Sequence, residues 1–339
     1  MTSPHIRQPA SVQRVMMTVL LALLPGIAAH VWQVGAGILV NLAIATVAAL
    51  ASEALVLRLR KRPLWITLGD GSAVVTAWLI ALILPSIVPW WLTVTAVLVA
   101  IVGAKHLYGG IGQNPFNPAM AAYCAMIVAY PALMSQWPPV HGVDPVHGID
   151  FATQLHLILG GSRDIDVITG ATALDTMRTG LRNQSDVHAI LSSDAFGFAG
   201  GRGWEWIAAG YLVGGLFLLA RRVITWHLPF GFIVGMGFTA GVFWLVAPAS
   251  FPSPLFHLAS GGAMLAAFFI VTDPVTGASS PLGKLIFAAG VGIIAWIIRT
   301  FGAYPDGIAF AVLLMNICVP MINHATQPAP FGQRKDIRS

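Results

Sequence analysis

Thr172 is the residue best placed for covalent chemistry. It closes the stretch Asp166-Val167-Ile168-Thr169-Gly170-Ala171-Thr172, where one carboxylate, two hydroxyls and two small residues share seven positions. Gly170 and Ala171 leave room for close backbone approach, so the Thr172 hydroxyl is offered with little bulk around it. Group transfer onto such a hydroxyl, phosphorylation-like in its needs, requires a carboxylate or metal ion nearby to help activate it. The same residues suit a plainer task as well: Thr172 or Thr169 can cap a helix running through 174–182. Elsewhere, Glu53 and Asp273 lie in or at the ends of apolar stretches, where carboxylates are costly and functional by default. Glu53 stands five residues before Arg58, which predicts that it snorkels toward the interface. Asp273 sits in a Thr-Asp-Pro turn, placed to shape a site or bind a cation. His30, His106, His227 and His257 lie near the ends of apolar stretches, and no spacing singles out a haem-ligating pair. Cys124 and Cys318 read as small buried hydrophobes, and no disulfide is expected.

These residues cannot be carried by a soluble scaffold. The chain has 339 residues, 57% hydrophobic and 9% charged, whereas soluble proteins carry about 25% charged residues. Its 35 Gly follow no three-residue period and it has only 2 Cys, which excludes collagen and a disulfide scaffold. A formal charge of +5 reports orientation in a membrane protein rather than a nucleic-acid partner. A helical span needs roughly 20 mostly apolar residues. Ten stretches qualify, near 15–33, 36–57, 71–89, 91–108, 118–134, 206–222, 228–248, 255–272, 283–301 and 306–323. The first follows Arg7 and Arg14 like a signal sequence, but Pro25 and the nine later spans favour a retained helix.

Basic residues set the orientation. With the N-terminus inside, thirteen of the 18 Lys and Arg fall on the cytoplasmic side, and the opposite orientation inverts that ratio. Both termini are therefore expected in the cytoplasm, and the long hydrophilic stretch 135–205 in the periplasm. That stretch holds eight of the 13 acidic residues against four Arg. Loops of this length are usually functional or disordered, and the apolar run from Phe151 to Leu159 argues against full disorder. The Trp pairs at 90–91 and 204/206 fit interfacial anchors.

Gly71 to Pro85 and Ser260 to Pro274 are two similar segments, each opening on small residues, continuing apolar and ending in Pro. They belong to the third and eighth spans, five steps apart in order, so they cross the membrane in opposite senses. Inverted repeats of this kind build many transporters, although any two apolar segments with a terminal Pro align about as well. The segments Gly109 to Ala119 and Thr272 to Lys284 are rich in Gly, Pro, Asn and Ser and fall on the cytoplasmic face, where they could build one site. Irregular backbone at membrane depth survives only when buried in protein or lining a cavity. The expected organisation is an all-α polytopic membrane protein of about ten transmembrane helices. Residues 1–134 and 206–323 form two inverted five-helix halves, 135–205 the periplasmic loop, and 324–339 a cytoplasmic tail.

The pattern Asp-x-x-Ser/Thr-Gly-Ala-Thr at 166–172 resembles the motif at which a periplasmic flavin transferase attaches FMN through a phosphoester to the last Thr. Ser3-Pro4-His5, the ALLPG run at Ala22 to Gly26, GGIGQNPFNPAM at 109–120, TDPVTGASSP at 272–281 and AVLLMNICVP at 311–320 extend the resemblance over nearly the whole chain. The chain resembles the RnfD/NqrB family. That resemblance implies covalent FMN on Thr172, with Asp166, Thr169, Gly170 and Ala171 as the surrounding recognition motif. It also implies noncovalent riboflavin at Asn114 and Asn117, whose amides both donate and accept; the adjoining prolines equally suit these Asn to backbone capping. Arg163, Arg178 and Arg182 would stabilise phosphate or reduced flavin, or merely pair with the loop's carboxylates.

The implied function is that of an inner-membrane flavoprotein subunit of an Rnf-type complex, coupling ferredoxin/NAD electron transfer to Na⁺ or H⁺ translocation. Its partners would be the other subunits of the complex, the flavin transferase and the lipid bilayer, with no nucleic acid. Sites for NAD and ferredoxin would lie on other subunits, since this chain has neither GxGxxG after a strand nor a Cys-rich cluster. The competing reading is an inverted-repeat solute channel or transporter without a redox cofactor.

Overall fold

The computed structural model describes residues 11–110, 112–140, 149–161, 170–304 and 306–327. Among these residues the chain is helical and forms no β-sheet. Ser11 opens α1 (Val12–Gln33) by accepting the Arg14 amide at 3.3 Å. There follow α2 (Gly37–Leu59), a short α3 (Leu64–Leu68), α4 (Ser72–Ile83) and α5 (Trp90–His106), whose second half, Val99–His106, is π-helical. Next come α6 (Pro118–Ala129) and the single turn α7 (Pro131–Met134). Three short helices, α8 (Phe151–Ile158), α9 (Ala173–Arg182) and α10 (Val187–Leu191), occupy the hydrophilic stretch. The second half of the chain holds α11 (Trp204–Ala220), α12 (His227–Val246), α13 (Pro254–Ala259), α14 (Ala263–Leu265, continued by a π-helical turn at Ala266–Ile270), α15 (Pro281–Phe301) and α16 (Ile308–Thr326).

Every apolar stretch expected to span is helical. Among the described residues five helices are long and apolar enough to cross a membrane: α1, α2, α12, α15 and α16. Helices α4, α5, α6 and α11 are shorter apolar helices, and proline or glycine interrupts two of the expected spans. Pro85 cannot supply an amide to the α-helical ladder, so α4 ends at Ile83, six residues before the expected boundary at 89. The eighth stretch is broken at Ser260–Gly262, where Gly261 adopts a left-handed φ of 62°. Large apolar side chains such as Leu21, Val47, Phe238 and Ile317 face outward, as lipid-facing positions must. The chain is an all-α polytopic membrane protein.

Helix pairings in the first half recur in the second. The contacts of α2 with α4 and α5, and of α5 with α6, are matched by those of α12 with α13 and α15, and of α15 with α16. Contacts of α1 with α4 are matched by α11 with α14, while α1–α11 and α6–α16 join the halves. Small residues bring the paired backbones together, as in membrane helix packing generally. A Cβ on Gly214 would collide with the Ala22 carbonyl, and one on Gly235 with the Ala289 carbonyl.

One expectation is overturned. Glu53 does not snorkel: it is fully buried, with Oε1 2.6 Å from Lys105 Nζ and 3.3 Å from His106 Nε2. Lys105 also donates to Ser72 Oγ at 2.9 Å. The spacing to Arg58 reported only the local neighbourhood, whereas a lysine 52 positions away, presented by the π-helical end of α5, supplies the counter-charge inside the bundle.

Candidate functional site

Thr172 is the N-cap of α9. Its backbone is extended, and its Oγ1 accepts the Asp175 amide at 3.2 Å while donating to Asp175 Oδ2 at 2.7 Å. The capping role is the one observed, and the same hydroxyl is oriented by a carboxylate. The Gly170 amide donates to the Trp137 carbonyl at 3.0 Å, and a Cβ on Gly170 would lie 3.3 Å from Pro139 Cα. This is the close backbone approach that a small residue permits. Ala171 is exposed. Asp166 and Thr169, with Arg163, lie outside the described residues.

The hydroxyl opens onto a cavity of about 360 Å³ reaching into the helix bundle, within the ~300–1,000 Å³ usual for ligand sites. Thr172, Asp175 and Arg178 line it at the α9 end. Trp137 and Trp204 form an aromatic wall, edge to face at 5.4 Å, and Trp204 meets His30 the same way at 6.0 Å. Thus Trp204, expected at the interface, turns inward, whereas Trp206 keeps the anchoring role and packs on exposed Trp32. The broken α13–α14 helix forms another wall. Asp306 holds the break open by accepting the Gly262 amide at 3.1 Å, and it pairs with buried Arg299 at 3.2 Å. Two buried polar atoms lining the cavity, His30 Nε2 and Ser260 Oγ, have no hydrogen-bond partner. Polar atoms in that condition call for a ligand or water.

Sequence reasoning missed Asp175, Trp137, Asp306 and Ser260. Asp175 was readable, because three residues from a capping Thr is the spacing of a capping box. Asp306 acts across 44 positions, and no local pattern reports such a contact.

The second candidate lies at the far end of α6. Asn117 caps that helix, its Oδ1 accepting the Ala119 and Met120 amides at 3.1 and 3.2 Å. Its Nδ2 donates to Asp273 Oδ2 at 3.4 Å and its backbone amide to Asn316 Oδ1 at 3.1 Å. Asp273 also accepts from the Thr276 hydroxyl at 2.8 Å, and Asn316 donates to the Thr276 carbonyl at 3.0 Å. The two Gly/Pro/Asn-rich segments therefore meet, and Asn316 of α16 cross-links them. Asn114 Nδ2 donates to the Phe116 carbonyl at 3.0 Å. Capping, the alternative to flavin contact, is what the Asn117 amide does. Met120 and Ile270 line the cavity and stand three residues from Asn117 and Asp273, about one helical turn. Of the four histidines considered for haem, only His30 lines this cavity; His106 neighbours Glu53 and His227 stacks on Trp226.

Comparison with known proteins covers nearly the whole chain. Residues 1–332 match the model of the NQR2, RnfD, RnfE family. The chain is 48% identical to a protein of Pseudomonas paraeruginosa, covering 98% of this chain and 96% of that one. It is 44% identical to a protein of Erwinia tasmaniensis over 98% of both chains, and 44% identical to one of Alcanivorax borkumensis over 99% and 97%. All three relatives are named as the D-type subunit of an ion-translocating oxidoreductase complex. On a family match spanning nearly every residue and identities well above the level at which homology is secure, this chain belongs to the NQR2, RnfD, RnfE family.

Proposed function

We propose that this chain is the D-type membrane subunit of an ion-translocating oxidoreductase complex and carries FMN as a phosphoester on Thr172. The observation that supports this most directly is the Thr172 hydroxyl, held by Asp175 at the mouth of an aromatic-walled cavity containing unpartnered polar atoms. FMN supplies one-electron redox chemistry, and the protein contributes binding, orientation and electrostatics. In this reading Thr172 fixes the phosphate end, Trp137 and Trp204 exclude water from the ring's side, and Arg178 supplies compensating positive charge. His30 Nε2 and Ser260 Oγ offer hydrogen bonds to a polar heterocycle. Asp166 and Thr169 complete the motif read by a periplasmic flavin transferase.

Noncovalent riboflavin near Asn114 belongs to the same proposal. Asn117 already spends its amide on Ala119, Met120 and Asp273, so its part is to shape the loop. The two cofactors would then stand near opposite ends of α6, whose 12 residues span ~18 Å. Electrons would pass between ferredoxin and NAD sites on other subunits, coupled to Na⁺ or H⁺ movement. In this reading the membrane is a bacterial inner membrane, and the basic-residue bias supports both termini in the cytoplasm and residues 135–205 in the periplasm. Residues 1–134 and 206–323 would be the inverted halves, with 324–339 as a cytoplasmic tail.

The test is direct. Protein denatured from its native membrane should run as a flavin-fluorescent band under ultraviolet light, and Thr172→Ala should abolish that band. A dark wild-type band from cells that possess the transferase would instead favour a transporter without a redox cofactor.

A further inference from the structure

A second cavity, of about 240 Å³, lies beside the first at the same end of the bundle, beneath α9. Its walls come from α9, from the loop between α12 and α13, from α13 and from the C-terminal end of α15. Three guanidinium groups line it: Arg178, Arg182 and Arg299. Arg299 is 4% exposed and His257, also on the wall, is 4% exposed. Arg299 donates Nη1 to the His257 carbonyl at 2.6 Å and sets Nη2 3.2 Å from Asp306. Its Nε, however, has no hydrogen-bond partner, and the two ring nitrogens of His257 and the Thr300 hydroxyl also have none. Asp306 is committed to Arg299, and the other nearby carboxylate, Asp175, holds Thr172. Burial and the neighbouring Arg182 guanidinium lower the pKa of Arg178, with Asp175 opposing them; among the described residues lining the cavity there is no carboxylate.

Buried donors without acceptors, surrounded by arginines, describe a site for an oxyanion. Guanidinium forks match phosphate oxygens in geometry as well as charge. The rim identifies the setting. Phe251 and Phe301 line the cavity, and Phe301 is 61% exposed on the outer surface of the bundle. Trp32 and Trp206 stand exposed at this same end, and exposed aromatic residues mark the level of the lipid headgroups. Basic pockets between membrane helices on the cytoplasmic side bind anionic headgroups, and the guanidinium–phosphate chemistry is the same at this end of the bundle.

We infer that this cavity binds a phosphate group, with Arg182, Arg299 Nε and the Thr300 hydroxyl as its donors and the headgroup of an anionic phospholipid as its source. The site does not need the cofactor on Thr172; Arg178, which borders both cavities, is left to that cofactor. Native mass spectrometry of the full chain, purified from its membrane with bound partners, tests it. Phosphatidylglycerol should be retained in preference to phosphatidylethanolamine, and Arg182→Gln and Thr300→Val should each reduce that retention at least fivefold. Both variants should elute as wild type does, showing that they fold. If inorganic phosphate alone raises the unfolding temperature of wild type but not of Arg182→Gln, the phosphate site stands and its source is the soluble ion. Equal retention of both lipids without a phosphate effect, undiminished retention in both variants, or loss of retention on Thr172→Ala would each overturn the inference.

Discussion

The Thr172–Asp175 pair gives one side chain a structural task, capping α9, and in the proposed function a chemical one as well. A capping Thr typically stabilises its helix by about 1 kcal/mol relative to Ala, so Thr172→Ala should carry that cost besides losing the modification. Asp175→Ala should leave the Thr172 hydroxyl without its acceptor, and in-gel flavin fluorescence should fall while the protein remains folded. Retained full fluorescence in Asp175→Ala would assign the carboxylate to capping alone. The buried Glu53–Lys105 pair makes a sharper prediction. Removing one member leaves a buried charge uncompensated, which costs roughly 3–5 kcal/mol. Glu53→Gln should therefore lower the unfolding temperature in detergent markedly, and adding Lys105→Met should restore much of it. If Glu53→Gln unfolds like wild type, the ion pair is not stabilising the bundle. At this scale the sequence foresaw Thr172 as a helix cap, because the cap and its helix are contiguous, and misjudged Glu53, because its partner is 52 residues away.

Among the elements, the glycines of α12 decide how closely it approaches α15. Gly235→Val forces a branched side chain against the Ala289 backbone, and overpacking of this kind typically costs about 1–3 kcal/mol. Thermal unfolding of the variant in detergent should show that loss, whereas Gly237→Val, whose only near neighbour is a Leu258 methyl at 3.8 Å, should show much less. Helix α8 carries a pH dependence. Its N-cap Asp150 accepts hydrogen bonds from the Thr153 side chain and amide, which hold the carboxyl below its ordinary value. A lowered folded-state pKa stabilises the helix above the unfolded value and is lost as pH falls through the folded one. Hydrogen exchange over 151–158 should accelerate in that acidic window, and Asp150→Asn should remove the acceleration. Helix positions were legible because lipid enforces long apolar runs. Their interruptions were less so: Ser260–Gly262 fell inside the stretch 255–272, read as one span, and proved to be the break between α13 and α14.

Across the whole molecule, the cavity connects the α9 end of the bundle to the level of Met120 and Ile270, one turn from the Asn117–Asp273 cluster. Two stretches far apart in sequence are thereby placed along one helix, α6. The aromatic wall should shield whatever is tethered at Thr172. Trp204→Ala should steepen iodide quenching of the bound flavin's fluorescence without reducing the fraction of protein carrying it. Unchanged quenching would place the ring outside the cavity.

Composition and order of residues were sufficient to make this a membrane protein with ten apolar stretches and to single out Thr172. Those features rest on hydropathy along one helix or on groups a few positions apart. The tertiary structure alone decided that Lys105 neutralises Glu53, that Asp306 secures the break at Gly262, that Trp204 turns inward, and that Asn316 joins two loops. Each depends on which helix backbones approach, and that is fixed by packing among small residues spread over the entire chain.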